Sequence, residues 1–380
     1  MSVRKRSWVT GSGKSKTAWV IDYTSQGKRH LETFAKKHEA DARHAEVMAG
    51  IGKGIHSAGK ATIAQAGELW LASREAAGLE RATLKNYREH LELHITPLIG
   101  SVKLASLSLP RVREFEDELR RDRSPAMVKK VLVSLTAILA DAQDRGLVAQ
   151  NVMHRRQMKN GHVGARQKRR LEVGVDIPTV AEVRKIIPYL KGGRERPLIL
   201  TAVFTGLRAS ELRGLRWEDL DLPRAELTVR QRADRFSEIG PTKSAAGRRT
   251  VPLLPMVVKA LSEWRPACPA SPGGLVFPGR HSQPMVRTTI IRHWRPIQIR
   301  AGVVTPDGRP KYPGVHALRH FYASWCINRK ADGGLELPIK VVQGRLGHAS
   351  IQMTADRYGH LFPRADDAAE LAAAEKTFLA

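Results

Sequence analysis

The chain has 380 residues, 42% hydrophobic and 27% charged, a balance that excludes wholesale disorder and gives room for two or three domains with buried cores. Its 64 lysines and arginines against 37 acids leave a formal charge of +27, which asks for a polyanionic partner. Two cysteines, Cys268 and Cys326, exclude a disulfide framework and a multi-cysteine zinc site, and no apolar run nears the ~18 residues that cross a bilayer. The reading is a cytoplasmic protein in a reducing compartment, with no membrane partner.

Residues 1–49 read as three short strands, Ser7–Thr10, Ala18–Tyr23 and Lys28–Phe34, then a helix from Lys36 to Met48. This small sheet would pack Trp8, Trp19 and Tyr23 against the helix and leave Arg4, Lys5, Arg6, Lys14 and Lys28 to meet phosphates; a merely solvated basic terminus is the plainer reading. Gly11-Ser12-Gly13-Lys14-Ser15 suggests a phosphate-binding loop, but Trp8 stands where that pattern needs its first glycine.

Residues 50–60 are a glycine-rich linker, after which Thr62 caps a helix with apolar Ile63, Ala66, Leu69 and Trp70. The same period continues through Ala82–Ile95, Leu109–Arg121 and Pro125–Arg145, punctuated by Pro97, Pro110 and Pro125, so residues 60–153 form an all-helical domain. Its net charge is only +2; Arg81 and Lys85 are candidates for a DNA-facing side, although most such residues are simply solvated. Residues 154–171 then carry +7 with no acid and no apolar period. The basic linker, taken as 154–174, is either a flexible tether that touches nothing or a segment laid along DNA through Arg155, Arg156, Lys168, Arg169 and Arg170.

From residue 175 the pattern turns mixed: helices Val180–Leu190 and Pro197–Phe204, then Thr205-Gly206-Leu207-Arg208-Ala209-Ser210-Glu211-Leu212. A glycine turn between two apolar helices holds Arg208 on a rigid support, with Glu211 placed to orient it. A strand Ala225–Gln231, a turn with Pro241-Thr242-Lys243-Ser244 and a returning strand Arg249–Leu253 put Lys243 near a hairpin tip. Further on stand His316-Ala317-Leu318-Arg319-His320, Leu346-Gly347-His348 and Tyr358. Each alone has a bland reading: Arg208 a helix cap, Tyr358 a surface aromatic, Cys326 core. His316 and His320 are spaced like zinc ligands, but Ala317 replaces the glutamate of the metalloprotease pattern and no third ligand is evident, so neither a metal nor a cofactor is expected.

Taken together these residues resemble the tyrosine recombinase, or phage integrase, family of site-specific DNA recombinases, in order along the chain. The family's T-G-x-R-x-x-E-L arginine, hairpin lysine, H-x-x-R, L-G-H and tyrosine correspond to Arg208, Lys243, His316 with Arg319, His348 and Tyr358. Attack on a phosphodiester builds negative charge that two guanidinium groups, Arg208 and Arg319, can hold in bidentate fashion. Tyr358 would be the nucleophile, Lys243 the acid for the leaving 5′ oxygen, and His316 and His348 phosphate donors, His316 also a plausible base; Glu211 and His320 would support them. A phosphotyrosine ester conserves the energy of the broken bond, so the resemblance implies no ATP.

The implied fold class is multidomain α+β: a sheet-plus-helix arm-binding domain (1–55), an all-α core-binding domain (60–153), the linker, and a mainly α catalytic domain with a small antiparallel sheet (175–380). Implied partners are double-stranded DNA at core and arm-type attachment sites, a homotetramer of this chain on DNA, and a DNA-bending accessory protein or directionality factor, in the nucleoid of a bacterial host carrying a prophage or other mobile element. A tail beginning at Asp366-Asp367 and running to Ala380 would self-pack or dock on a neighbouring protomer. Two rivals stand beside this: a type IB topoisomerase rejoining the same strand, and a DNA-binding regulator that keeps the fold without catalysis.

Overall fold

A computed structural model describes residues 2–9, 15–25, 28–52, 61–148, 150–153, 170–362, 372 and 375–379. The chain divides into two compact units, Met1–Arg166 and Gln167–Ala380.

The first unit opens with an antiparallel meander, β1 (Ser2–Val9), β2 (Ser15–Ser25) and β3 (Lys28–Phe34), followed by α1 (Lys37–Gly52). Ile21, Tyr23, Ala40 and Val47 form its core with Val3, Trp19 and Phe34 at the margin. The Tyr23 hydroxyl donates to Glu32 (2.8 Å), which also accepts from Arg43 (3.1 Å), tying sheet to helix. Trp8 departs from expectation: it is 42% exposed. The register explains this, because Val3 faces Ile21 and Lys5 faces Trp19 across the ladder, so odd positions of β1 point to the helix and Trp8 shares the outer face with Arg4 and Arg6.

Beyond residues 53–60, which lie outside the described set, Thr62 and Gln65 form a reciprocal capping box that starts α2 (Ile63–Ala76). Helices α3 (Arg81–His90), α4 (Thr96–Ile99), α5 (Leu109–Asp122) and α6 (Pro125–Asp144) follow, α5 and α6 capped by Ser108 and Ser124 with proline in the first turn. The expected single helix over Ala82–Ile95 instead changes at Leu91–Ile95 into a π-helical turn. The buried stripe of α2 runs through Ile63, Ala66, Gly67, Trp70 and Leu71, so Leu69, 45% exposed, falls outside the core in which it was placed.

In the second unit α7 (Val180–Ile186), boxed by Thr179 and Glu182, tightens into a 3₁₀ turn at Pro188 instead of continuing to Leu190. Helix α8 (Glu195–Phe204) is buried along nearly its whole surface and forms the centre of a core with Leu212, Phe277, Trp294 and Leu318. Short α9 (Ala209–Arg213) leads to two small sheets: β4 (Leu220–Asp221), β5 (Glu226–Val229) and β8 (Arg249–Pro252) in the order β4-β5-β8, and a separate hairpin of β6 (Gln231–Ala233) with β7 (Ile239–Pro241). Helices α10 (Pro255–Trp264), α11 (Arg287–Arg300), α12 (His316–Ile327), α13 (Ile339–Leu346) and α14 (Ile351–Tyr358) complete it. A second cluster of Val251, Tyr322, Cys326, Val342, Leu346 and Tyr358 lies where β8, α12, α13 and α14 meet. The mainly helical architecture with small antiparallel sheets is the one the sequence implied. Among the described residues no helix is long and apolar enough to cross a membrane. Of the tail, residues 372 and 375–378 are helical and Phe378 is 89% exposed; Asp366 and Asp367 lie outside the described residues.

Candidate active site

Two backbone turns and the start of one helix assemble the site. Gly206, at φ +63°, lies so close to the Tyr322 ring that a Cβ there would stand 2.4 Å from it, and this turn delivers Arg208 to the N-terminus of α9. Gly347, at φ +62°, ends α13 with its Cα side against the Ala246 carbonyl and the Arg249 side chain, and delivers His348. Helix α12 supplies His316, Arg319 and His320 from its first turns.

The arginines lock these pieces together. Arg208 donates to Glu211 (2.6 Å) and to the Gly347 carbonyl (3.1 Å), and Arg319, 3% exposed, donates to the carbonyls of Gly206 and Leu346, both at 2.6 Å. Glu211 is also buried; it accepts from the Arg208 amide (2.9 Å) and from the Arg249 guanidinium (2.9 Å). Burial alone would raise the Glu211 pKa, but the charges and hydrogen bonds of Arg249 and Arg208 outweigh it and hold the carboxyl below its usual range. Arg249 completes the frame by donating to the Arg345 carbonyl (2.7 Å). It is a residue that sequence reading passed over, since nothing local to a strand start marks an arginine that meets a glutamate 38 positions earlier.

Tyr358 is among the most enclosed large side chains, 1% exposed. Its hydroxyl lies 2.7 Å from His320 Nδ1, and its ring is parallel to that of His348 at 6.4 Å. Burial raises the tyrosine pKa, opposed by the positive charges of Arg319, Arg357 and Arg208. His348 is fixed by the Thr354 hydroxyl (2.9 Å), and His316 meets His320 edge to face at 4.6 Å. All three histidines are held neutral: desolvation first, then neighbouring charge, lowers His316 to about 4, His320 to about 3 and His348 to about 4. His316 has an exposed edge but feels Arg319, Arg357, Arg208 and Arg287. The result is a strongly cationic cluster with neutral imidazoles, suited to a group carrying negative charge.

Of the expected residues, Arg208 is bonded to Glu211, His320 to Tyr358, and His316 and His348 stand against the rings of His320 and Tyr358, while Arg319 is held by the backbone carbonyls of Gly206 and Leu346. Lys243 is not at a hairpin tip. The tip is the 234–238 turn between β6 and β7, and Lys243 follows β7 on an exposed stretch that leads through Ala245–Gly247 into β8. That stretch rests on the Gly347 turn through Ala246. Arg4, Lys5, Arg6, Arg81, Lys85 and Arg170 are exposed; Lys14, Arg155, Arg156, Lys168 and Arg169, and the side chain of Lys28, lie outside what the structure describes.

Two guanidinium groups and a tyrosine brought into one cationic cluster are suited to holding a phosphate group. Residues 179–364 match the phage integrase family model, and the chain is a tyrosine site-specific recombinase. It is 25% identical over 358 residues to the XerC-like tyrosine recombinase of Caldanaerobacter subterraneus subsp. tengcongensis, covering 86% of this chain and 87% of the relative. In fold it is similar to a transposon Tn1549 integrase solved with a circular intermediate DNA, with TM-score 0.65, 18% identity and coverage of 83% of this chain and 99% of that one. A lambda integrase tetramer bound to a Holliday junction matches with TM-score 0.56 and 16% identity, over 90% of this chain and 95% of that chain.

Proposed function

We propose that this enzyme integrates and excises a prophage or related mobile element in a bacterial cytoplasm, cutting and rejoining DNA through a 3′-phosphotyrosine intermediate. The observation that carries the reading is the Tyr358 hydroxyl enclosed beside Arg319 and Arg208, which lie 111 positions apart along the chain and share the Gly206 and Gly347 turns. In this reading Arg208 and Arg319 hold the non-bridging oxygens of the scissile phosphate, and His316 and His348 donate to them. Lys243 protonates the departing 5′ oxygen, and Glu211 keeps Arg208 in place. A 5′ hydroxyl from a second duplex then reverses the reaction.

The wider expectation is a homotetramer on two attachment sites, helped by a DNA-bending or directionality factor. It has three working parts: an arm-binding domain over 1–55, a core-binding domain over 60–153, and a catalytic domain over 175–380 joined to it by the basic segment 154–174. The tetramer of lambda integrase on a Holliday junction supports the assembly, and the +27 charge supports a DNA partner.

The test is adduct trapping on a nicked duplex carrying the junction that flanks this chain's own gene. The expected result is a denaturation-resistant protein–DNA adduct with the unmodified protein and none with Tyr358→Phe, at unchanged DNA affinity. Specific binding without an adduct would favour the regulator. Relaxation of supercoiled DNA by a monomer, without strand exchange, would favour the topoisomerase.

A further inference from the structure

The recombinase reading assigns no proton acceptor to Tyr358 by contact; the structure does. We propose that His320 is the catalytic base of the cleavage step: its Nδ1 accepts the Tyr358 hydroxyl hydrogen bond in the resting enzyme and takes that proton as the phenol attacks. This inference rests on the proposed phosphotyrosine chemistry and deepens it.

The geometry is direct. A buried phenol hydroxyl needs an acceptor, and His320 Nδ1 stands 2.7 Å from Oη, within the range expected of a general base. His320 is itself 6% exposed, so bulk water does not compete for the position. His316, the base suggested by sequence, instead meets the His320 ring edge to face at 4.6 Å and is open to solvent. It is placed to meet the arriving phosphate, whereas His320 is placed to meet the nucleophile.

The surroundings add a gate. His320 faces His316 and Arg319 from its own helix, Arg357 and Tyr358 from α14, and His348 from the turn before it; after burial, His316, Arg357, Arg319 and His348 are what depress its basicity. In the free protein it is therefore a poor base and Tyr358 keeps its proton. A DNA phosphate seated on Arg208 and Arg319 brings negative charge into the same cluster, offsets the guanidinium field and raises the affinity of His320 for a proton. The base is thus switched on by the substrate it serves. The step balances: the Tyr358 O–H bond breaks and its proton moves to His320 Nδ1, the phenolate oxygen bonds to phosphorus, and the P–O5′ bond breaks. The departing 5′ oxygen takes a proton from Lys243. Rejoining runs the same transfers backwards.

The conservative test is His320→Asn, whose side-chain oxygen can still accept the phenol hydrogen bond but cannot take its proton. Single-turnover cleavage of the nicked duplex should fall about 10²-fold or more near neutral pH, with DNA affinity retained. The residual rate should climb with pH as Tyr358 ionises unaided. A bridging sulfur in place of the 5′ oxygen, which leaves without a proton, should rescue Lys243→Ala but not His320→Asn. Cleavage by His320→Asn at the unmodified rate and pH profile overturns the proposal, as does its rescue by sulfur, which would place His320 on the leaving-group side. Should His320→Asn not fold, the ¹⁵N resonance of His320 Nδ1 in the unmodified protein decides. An unprotonated nitrogen whose resonance moves on Tyr358→Phe supports the assignment, and a protonated one overturns it. Absence of any Tyr358-dependent adduct in the unmodified protein would overturn both this inference and the recombinase reading, whereas normal cleavage by His320→Asn overturns the base alone.

Discussion

The N-terminal sheet and the Tyr358 site solve opposite problems. In the sheet the apolar groups are inside and the charges outside: a core of Ile21, Tyr23, Ala40 and Val47 leaves Arg4, Lys5 and Arg6 in solvent. At Tyr358 charged and polar groups are inside: Glu211 and Arg319, with the neutral His320 and His348, are buried and held by neighbouring side chains and backbone carbonyls. Burying charge is expensive unless every partner is present, so the second arrangement is an all-or-none network while the first tolerates local change.

The sharpest way to break the comparison is Glu211→Gln. It leaves Arg208, Arg249 and Arg319 in one cluster without their shared counter-ion. We expect a loss of about 3 kcal/mol in the unfolding free energy of the Gln167–Ala380 unit together with loss of cleavage, read by denaturant titration and adduct trapping. A loss below about 1 kcal/mol would mean the network is not cooperative.

Acid should separate the two regions next. His320 and His348 have folded pKa values of about 3 and about 4, below the ~6.5 of the unfolded chain, so the unfolded state binds more protons in between. Their contribution is complete above pH 6.5 and is lost as pH falls towards 4, at about 1.4 kcal/mol per pH unit for each histidine. Melts at pH 7, 6 and 5 should show this in the unmodified protein and a flatter trend in His348→Asn. Equal slopes would remove His348 from the account.

The smallest effect belongs to the sheet. Trp8→Ala on its outer face should change stability by less than about 0.5 kcal/mol, whereas Trp19→Ala, half-buried on the helix side, should cost about 2 kcal/mol. Equal effects would contradict the register.

What could be read beforehand follows the same division. Signals that act within a few residues were legible: the Thr62 cap, the proline-led starts of α5 and α6, the glycine before Arg208. Family-like motifs named most of the site, but not its wiring. Arg249 carries no local mark, and His320 looked like a supporting neighbour because its contact to Tyr358 spans 38 positions. One long hairpin, as the sequence reads, would put Lys243 near its tip. The strand breaks after Val229 and a second hairpin carries the tip to 234–238. Trp8 was misplaced for want of the register, since a shift of one residue exchanges the two faces of a strand.

Among the described residues, the hydrogen bonds that fix the site run between Gly206 and Tyr358 and draw nothing from the first 166 residues. Under the proposed function, in which the leading unit reads DNA and this site cuts it, chemistry and address are separately heritable. A gene fusion that exchanged the leading unit for a relative's would retarget the enzyme without rebuilding its cutting centre, which makes the chain a natural substrate for module shuffling and for engineered chimaeras.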